Sequence, residues 1–227
     1  MIIAIDGPAA SGKSTLGRRL AETFGYLYFD TGVMYRAVTL AALQRGIHME
    51  DEAALQTLAN EIEIDVLPPS KDDGRMYDVL LNGEDVTWDI RSSQVDANVS
   101  YPSMYTGVRK ALSAQQRRIG LRGNTVMVGR DIGTVILPEA EVKIYLDASV
   151  DERARRRYLE CQARKERVRY EDILKSMQKR DALDSGRDVA PLRPADDAVI
   201  FNSNHLNADQ VFERAKELIL KSSARTE

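Results

Sequence analysis

Residues 7–15 read Gly7-Pro8-Ala9-Ala10-Ser11-Gly12-Lys13-Ser14-Thr15, the G-x-x-x-x-G-K-S pattern of a phosphate-binding loop. Such a loop works only between a buried strand and the N-terminus of a helix, so it constrains the fold at once. Both neighbours are legible. Ile2-Ile3-Ala4-Ile5 is an apolar run of strand length, and Leu16, Leu20 and Phe24 recur every four residues on one helical face. The glycines let successive N–H groups converge on phosphate oxygens, and the helix dipole adds positive potential there. Lys13 is expected to stand exposed at the loop mouth and reach the terminal phosphates, with the Ser14 hydroxyl ligating magnesium. The plainer alternative is a Gly/Ala/Ser turn ahead of a helix. Strand, loop, Lys-Ser pair and amphipathic helix in this order set it aside, and the expected ligand is a nucleoside triphosphate or a molecule of that shape.

Composition narrows the class. At 227 residues the chain suits one α/β domain with an insertion, and 43% hydrophobic residues suffice for a sizeable core. The 30% of charged residues indicates a soluble protein, and a net charge of −3 gives no basic field to attract nucleic acid or anionic lipid. Nine Tyr and four Phe are scattered rather than interleaved with basic residues, so stacking on single strands is not expected. Cys161 is the only cysteine, which excludes an intrachain disulfide and suits a reducing compartment. No apolar run approaches membrane-spanning length, and Asp6 interrupts the first one at once, so no targeting segment is expected. A cytoplasmic, soluble monomer is the expectation.

Five apolar runs read as strands of one parallel sheet: Ile2–Ile5, Leu27–Phe29, Thr125–Val128, Val142–Leu146 and Ala198–Phe201. Helical patterns separate them, which predicts an α/β fold with a doubly wound sheet flanked by helices. Ligands gather at the C-terminal strand ends of such sheets, and there stand Asp6, Asp30, Arg130-Asp131, Asp147 and Asn202. Asp30-Thr31 is expected to cap the helix that carries Tyr35, Val38 and Ala42.

One segment breaks the alternation. Ile62–Val66 alternates with period two, Met76–Leu81 is a second β-like run, and Asn82-Gly83 is a strong hairpin signal. Val86-Thr87-Trp88 is expected to supply a third strand, with Trp88 as packing anchor. Residues 62–92 thus read as a small antiparallel sheet inserted between core segments 1–61 and 93–227. A second stretch, about 151–169, is helical and arginine-rich, with Arg153, Arg155, Arg156, Arg157, Arg164, Arg167 and Arg169; Ala154, Tyr158 and Cys161 offer it a weak apolar face. It reads either as a solvated helix or as a lid closing over triphosphate.

The function classes then separate. A switch GTPase needs a guanine-reading N-K-x-D segment; the nearest look-alike, Asn202-Ser203-Asn204-His205, has no lysine or aspartate in place. A motor or helicase needs a Walker-B strand ending in acidic pairs, which is not seen. A small-molecule kinase needs a second anion site lined by arginines, to hold its acceptor in line with the γ-phosphate. Candidates are abundant in Asp30–Arg36, Val108-Arg109, Gly129–Val135 and Arg180–Leu192.

These segments make the resemblance specific. The phosphate loop, D-[ST]-G-x-x-Y-R at 30–36, G-R-D-x-G-T-V at 129–135, D-A-S-x-x-x-R-A at 147–154 and D-x-x-D-x-x-R-x-x-A-P-L at 181–192 resemble, end to end, the bacterial cytidylate kinases. These are the CMP/dCMP kinases of the nucleoside monophosphate kinase group. The resemblance implies a phosphate-loop fold with a three-stranded insertion, ATP as donor with Mg2+, and CMP or dCMP as acceptor. Gly7–Thr15 would bind ATP; Lys13, Arg130 and Arg187 would be catalytic. Thr31, Tyr35 and Arg36 would line the monophosphate pocket, with Arg130 as a second phosphate-binding arginine. Ser100, Arg109 and Asp131 would meet the cytosine edge, and Arg180, Asp184 and Arg187 the ribose and acceptor phosphate. Two departures are visible: position 31 is Thr where Ser is commoner, and Tyr105-Thr106-Gly107 lacks a proline often found there.

Overall fold

The computed structural model describes residues 1–224. In chain order the strands are β1 (Ile2–Asp6), β2 (Leu27–Asp30), β3 (Ile64–Leu67), β4 (Asp78–Leu81), β5 (Glu84–Asp85), β6 (Thr125–Val128), β7 (Val142–Asp147) and β8 (Val199–Asn202). The helices are α1 (Lys13–Phe24), α2 (Gly32–Gln44), α3 (Glu52–Glu61), α4 (Ser93–Asn98), α5 (Ser100–Met104), α6 (Thr106–Gly120), α7 (Val150–Ala163), α8 (Tyr170–Ser185) and α9 (Ala208–Ser223). A 3-10 turn spans Asp89–Arg91 and a π-helical turn spans Ile132–Ile136.

The five expected core strands form one parallel sheet in the order β2-β6-β1-β7-β8. Every residue of β1 is buried, because β6 and β7 pair on either side and helices cover both faces. That is why these strands read as unbroken apolar runs rather than alternating ones. All C-terminal ends point the same way. The phosphate loop after β1, Asp30 at the end of β2 and Gly129–Asp131 after β6 therefore share one edge of the sheet. No helix among the described residues is long and apolar enough to cross a membrane.

The segment from 62 to 92 forms its own antiparallel sheet, β3-β4-β5. Asn82 and Gly83 both adopt positive φ, 50° and 86°, as a two-residue hairpin turn requires. That tight turn places Glu84-Asp85 directly opposite Leu81 and Leu80, so they are the third strand, and Val86–Trp88 is not. The Val86 amide still reaches the Val79 carbonyl, but Asp85 Oδ1 then accepts from both the N–H and the hydroxyl of Thr87, which turns the chain away. Trp88 is not a packing anchor either. It is 47% exposed, donates its indole N–H to Asp73 at 3.0 Å and stacks under the Arg91 guanidinium.

The buried tie of this small sheet is Arg75, paired with Asp73, Asp78 and Asp85 at 2.8 Å each. Arg75→Met is expected to leave Asp73 and Asp78 without their cation and Asp85 with only the exposed Lys71, and so to loosen β3–β5 locally. Hydrogen exchange should show lost protection there with the five-stranded sheet unchanged; uniform protection in both would contradict this. The free edge of β3 is covered by α6. Gln115 accepts from the Ile64 amide and donates to the Ile62 carbonyl, standing in for a strand, while Arg118 donates to the Ile64 carbonyl.

The arginine-rich stretch is helical only as far as Ala163; residues 164–169, with Arg164, Arg167 and Arg169, form a turn and a loop that lead into α8. Ser149 Oγ accepts from the Glu152 amide at the start of α7, and Ala154 and Cys161 turn inward. α7 packs on α8, with the Tyr158 and Tyr170 rings edge to face.

Candidate active site

Gly7 sits at φ 146°, and a Cβ there would lie 2.2 Å from the Leu146 carbonyl oxygen, so only glycine lets the loop pass β7. Lys13 opens α1, but it is buried rather than exposed. Its ammonium turns back into the loop and donates to the Pro8 carbonyl at 2.6 Å and to Ser11 Oγ at 3.4 Å. Burial, and then the nearby Arg130, hold its pKa well below the ordinary lysine range. A long flexible stem beside the loop's own oxygens, the Pro8 carbonyl and Ser11 Oγ, reaches them, which the position of the lysine in the motif does not reveal. Ser14 remains exposed and donates to Asp30 Oδ2 at 3.2 Å. A hydroxyl facing a carboxylate at the start of the helix is a hard-oxygen donor set, which fits Mg2+.

Thr31 precedes α2 but does not cap it with its side chain. Its hydroxyl donates to the Val128 carbonyl across the sheet, and Asp30 Oδ1 accepts the Gly32 amide instead. On α2, Tyr35 lies beside the Arg109 guanidinium, 5.8 Å from ring centroid to Cζ. Arg36 is tied to the Ile90 carbonyl and to Asp96 at 2.6 Å.

The remaining arginines converge. Arg109, on α6, pairs with Asp131 at 2.9 Å, both side chains buried. Burial pushes the Asp131 carboxyl up, and the arginines at 109 and 187 oppose that. Arg130 donates to one oxygen of Asp184 at 3.0 Å, and Arg187 pairs with the other. Arg180, one turn earlier on α8, lies within electrostatic reach of Arg130 and Asp184. Arg109 Nε and Arg187 Nη1 are buried without a partner, and both residues line a cleft of about 290 Å³ between the start of α6 and the end of α8. The cleft is walled by Arg109 and Arg187 with Asp188, Met104, Leu183 and Val189 in the same lining, and Arg130 and Arg180 stand beside them; four arginines against Asp131, Asp184 and Asp188 suit an anion. Ser100 is not drawn into this cluster: it opens α5 with an exposed side chain that makes no hydrogen bond.

The Cytidylate kinase family model matches residues 3–221. The chain belongs to the cytidylate kinase family. A cytidylate kinase from Herpetosiphon aurantiacus is 51% identical over 96% of this chain and 93% of its own. Those from Chloroflexus aggregans and Bacillus velezensis are 54% and 46% identical, over 90% and 97% of this chain and 87% and 97% of theirs. Full-length similarity at this level extends the family assignment to the insertion and the arginine-rich helices alike.

Two residues that the sequence names only as members of a group take specific places in the structure. Arg153, on α7, is buried; it grips Asp181 of α8 with two hydrogen bonds and donates to the Ala9 carbonyl of the phosphate loop at 3.1 Å. Asp6, just before the loop, is buried, and burial raises its pKa to about 6 despite two amide donors. The charges facing it are Lys13 from α1, Asp131, and Lys143 and Tyr145 from β7. Between about pH 4 and 6 the folded chain then keeps a proton that the unfolded chain releases. This group's contribution to stability falls as pH rises through that window, by about 3 kcal/mol for a shift of about two units. Urea unfolding should show the wild type losing stability relative to Asp6→Asn between pH 4 and 7; parallel profiles would contradict it.

Proposed function

We propose that this chain transfers the γ-phosphoryl group of ATP to CMP or dCMP, giving ADP and CDP or dCDP, by direct in-line displacement. The observation that carries the reading is a chain of charges from loop to cleft: Arg130, within electrostatic reach of Lys13, shares Asp184 with Arg187, which lines the anion cleft, in a member of the cytidylate kinase family.

The chemistry follows from charge. A nucleoside monophosphate is largely dianionic near neutral pH, since its second pKa is about 6, so its oxygen is already a nucleophile. That oxygen bonds to the γ-phosphorus as the bridging oxygen leaves with ADP. No general base and no covalent enzyme intermediate are needed, and catalysis is positioning plus charge neutralisation. The loop amides of Gly7–Thr15 cradle the triphosphate, and Lys13 turns from Pro8 to the terminal phosphates. Thr31, Tyr35, Arg36 and Arg130 hold the acceptor phosphate, with Arg180 and Arg187 sharing its charge. Asp184 accepts from a sugar hydroxyl, and Arg109 and Asp131 meet the cytosine, which Ser100, at the exposed start of α5, reaches only if that helix moves in. Ser14, with Asp30 behind it, would hold Mg2+, which when bound screens the charge of the triphosphate.

In this reading residues 1–61 and 93–227 are the kinase core, 62–92 a subdomain on the acceptor side and about 151–169 a lid. The chain works as a monomer in the cytoplasm. A coupled assay of ADP release across CMP, dCMP, UMP, AMP and GMP tests the proposal. Turnover should be highest with CMP and dCMP; ATP binding with no turnover of any monophosphate would leave a nucleotide-sensing module instead.

A further inference from the structure

The mechanism above leaves one buried acid of the sheet edge without a task. Asp6 ends β1, one residue before Gly7, and is not part of the lining of the anion cleft. Both of its oxygens go to consecutive amides of a segment more than a hundred residues away. Oδ1 accepts from the Ile132 N–H at 2.8 Å and Oδ2 from the Gly133 N–H at 2.7 Å. Those amides open the π-helical turn that directly follows Asp131. Ionised acceptors on backbone amides make short, strong and directional hydrogen bonds. The far end of the same turn is held by Arg117 of α6, which donates to the Ile136 carbonyl at 2.9 Å. Space is tight as well: a Cβ on Gly133 would lie 3.2 Å from Lys143 Cδ and 3.4 Å from Asp6 Oδ2.

We propose that Asp6 is a positioning residue for recognition of the acceptor base: it locks the segment carrying Asp131 to the strand carrying the phosphate loop. The inference rests on the cytidylate kinase reading. Asp131 reaches Arg109 only from where its backbone stands, and that backbone is anchored at its next two amides. Donor phosphates and acceptor base are thereby set from one point, the C-terminal end of β1. A displacement of about 1 Å in such a reacting pair is worth on the order of a hundredfold in rate.

Asp6→Asn keeps the size of the side chain but turns one acceptor into a donor, so that an NH2 group meets a backbone N–H. The folded variant should lose amide protection at Ile132 and Gly133 in hydrogen exchange. Its kcat/KM for CMP should fall by about tenfold or more, and the CMP to UMP ratio should narrow by a similar factor, while KM for ATP moves by less than about twofold. Equal losses in ATP and CMP parameters with the base ratio unchanged would make Asp6 merely structural and overturn the proposal. Should Asp6→Asn not fold, Gly133→Ala crowds the same hydrogen bond from its other side: a narrowed ratio supports the proposal and an unchanged one overturns it. The wild type is assayed alongside. If it does not phosphorylate CMP, the functional reading falls and this inference with it; if it does and the variant's ratio is unchanged, the inference alone falls.

Discussion

Lys13→Ala is expected to lower kcat for CMP phosphorylation on the order of a thousandfold in a protein that stays folded. The loss is that of a placed positive charge on the transferring phosphoryl group, worth several kcal/mol in a water-poor site. Stability should change little, although the lysine is buried. Its removal takes the shorter of two donors from the Pro8 carbonyl, which keeps the Ser11 N–H at 3.4 Å, so the cost is about 1 kcal/mol. Against that, a desolvated cation is withdrawn from beside Arg130 and Arg180. Thermal unfolding and steady-state turnover on the same preparation check both halves. Near-normal turnover in the folded variant would remove Lys13 from the mechanism.

Asp131→Ala should narrow the preference for CMP over UMP by about thirtyfold to a thousandfold. A carboxylate accepts from the exocyclic amine of cytosine, whereas uracil presents a carbonyl oxygen there. Two acceptors facing each other in a desolvated pocket, with a hydrogen bond lost, cost roughly 2–4 kcal/mol. Arg109 can donate to the ring carbonyl that both bases share, so it sets affinity more than choice. The structure adds a complication, since Asp131 is also the buried partner of Arg109, and breaking such a pair is destabilising by about 3–5 kcal/mol. Asp131→Asn retains a partner of the same shape and is the safer variant. Its amide can donate to the uracil carbonyl, so the ratio should narrow from both sides. An unchanged ratio of kcat/KM in either folded variant would place base discrimination elsewhere.

The core of this fold was legible because a central parallel strand carries its burial in its own letters. Ile2–Ile5, Thr125–Val128 and Val142–Leu146 are apolar at every position or nearly so, and each is a strand to within a residue. The slips at strand ends fall on Asp6, Asp30, Asp147 and Asn202, polar residues whose backbones still pair in the ladder. The third strand of the insertion was misplaced because its two residues, Glu84 and Asp85, are exposed acids with no apolar signature. Trp88 misled for the opposite reason: an indole with its N–H on Asp73 is stable half in water. For the candidate site, motif spacing located the arginines but not their partners. That Arg130 shares Asp184 with Arg187 depends on a contact across 54 residues, and no periodicity encodes it. Asp6 had a signal, its place directly before the glycine loop, but its partners lie after β6 and only the fold brings them within reach.

The strand order has a consequence for how the chain comes into being. β1 lies at the centre of the sheet, yet its two neighbours begin only at Thr125 and Val142. A ribosome adding about 5–20 residues per second therefore releases the phosphate-loop strand roughly 6–25 seconds before either partner exists. Through that interval Ile2-Ile3-Ala4-Ile5 is an apolar segment with both edges open, the kind of stretch that chaperones shield. The β3–β5 hairpin units, closed by contacts local in sequence, can form in the meantime. The nucleotide loop, encoded ahead of both strands that flank its own, is thus among the last parts of the molecule to acquire its shape, and nascent chains halted before about residue 147 should lack a formed triphosphate site.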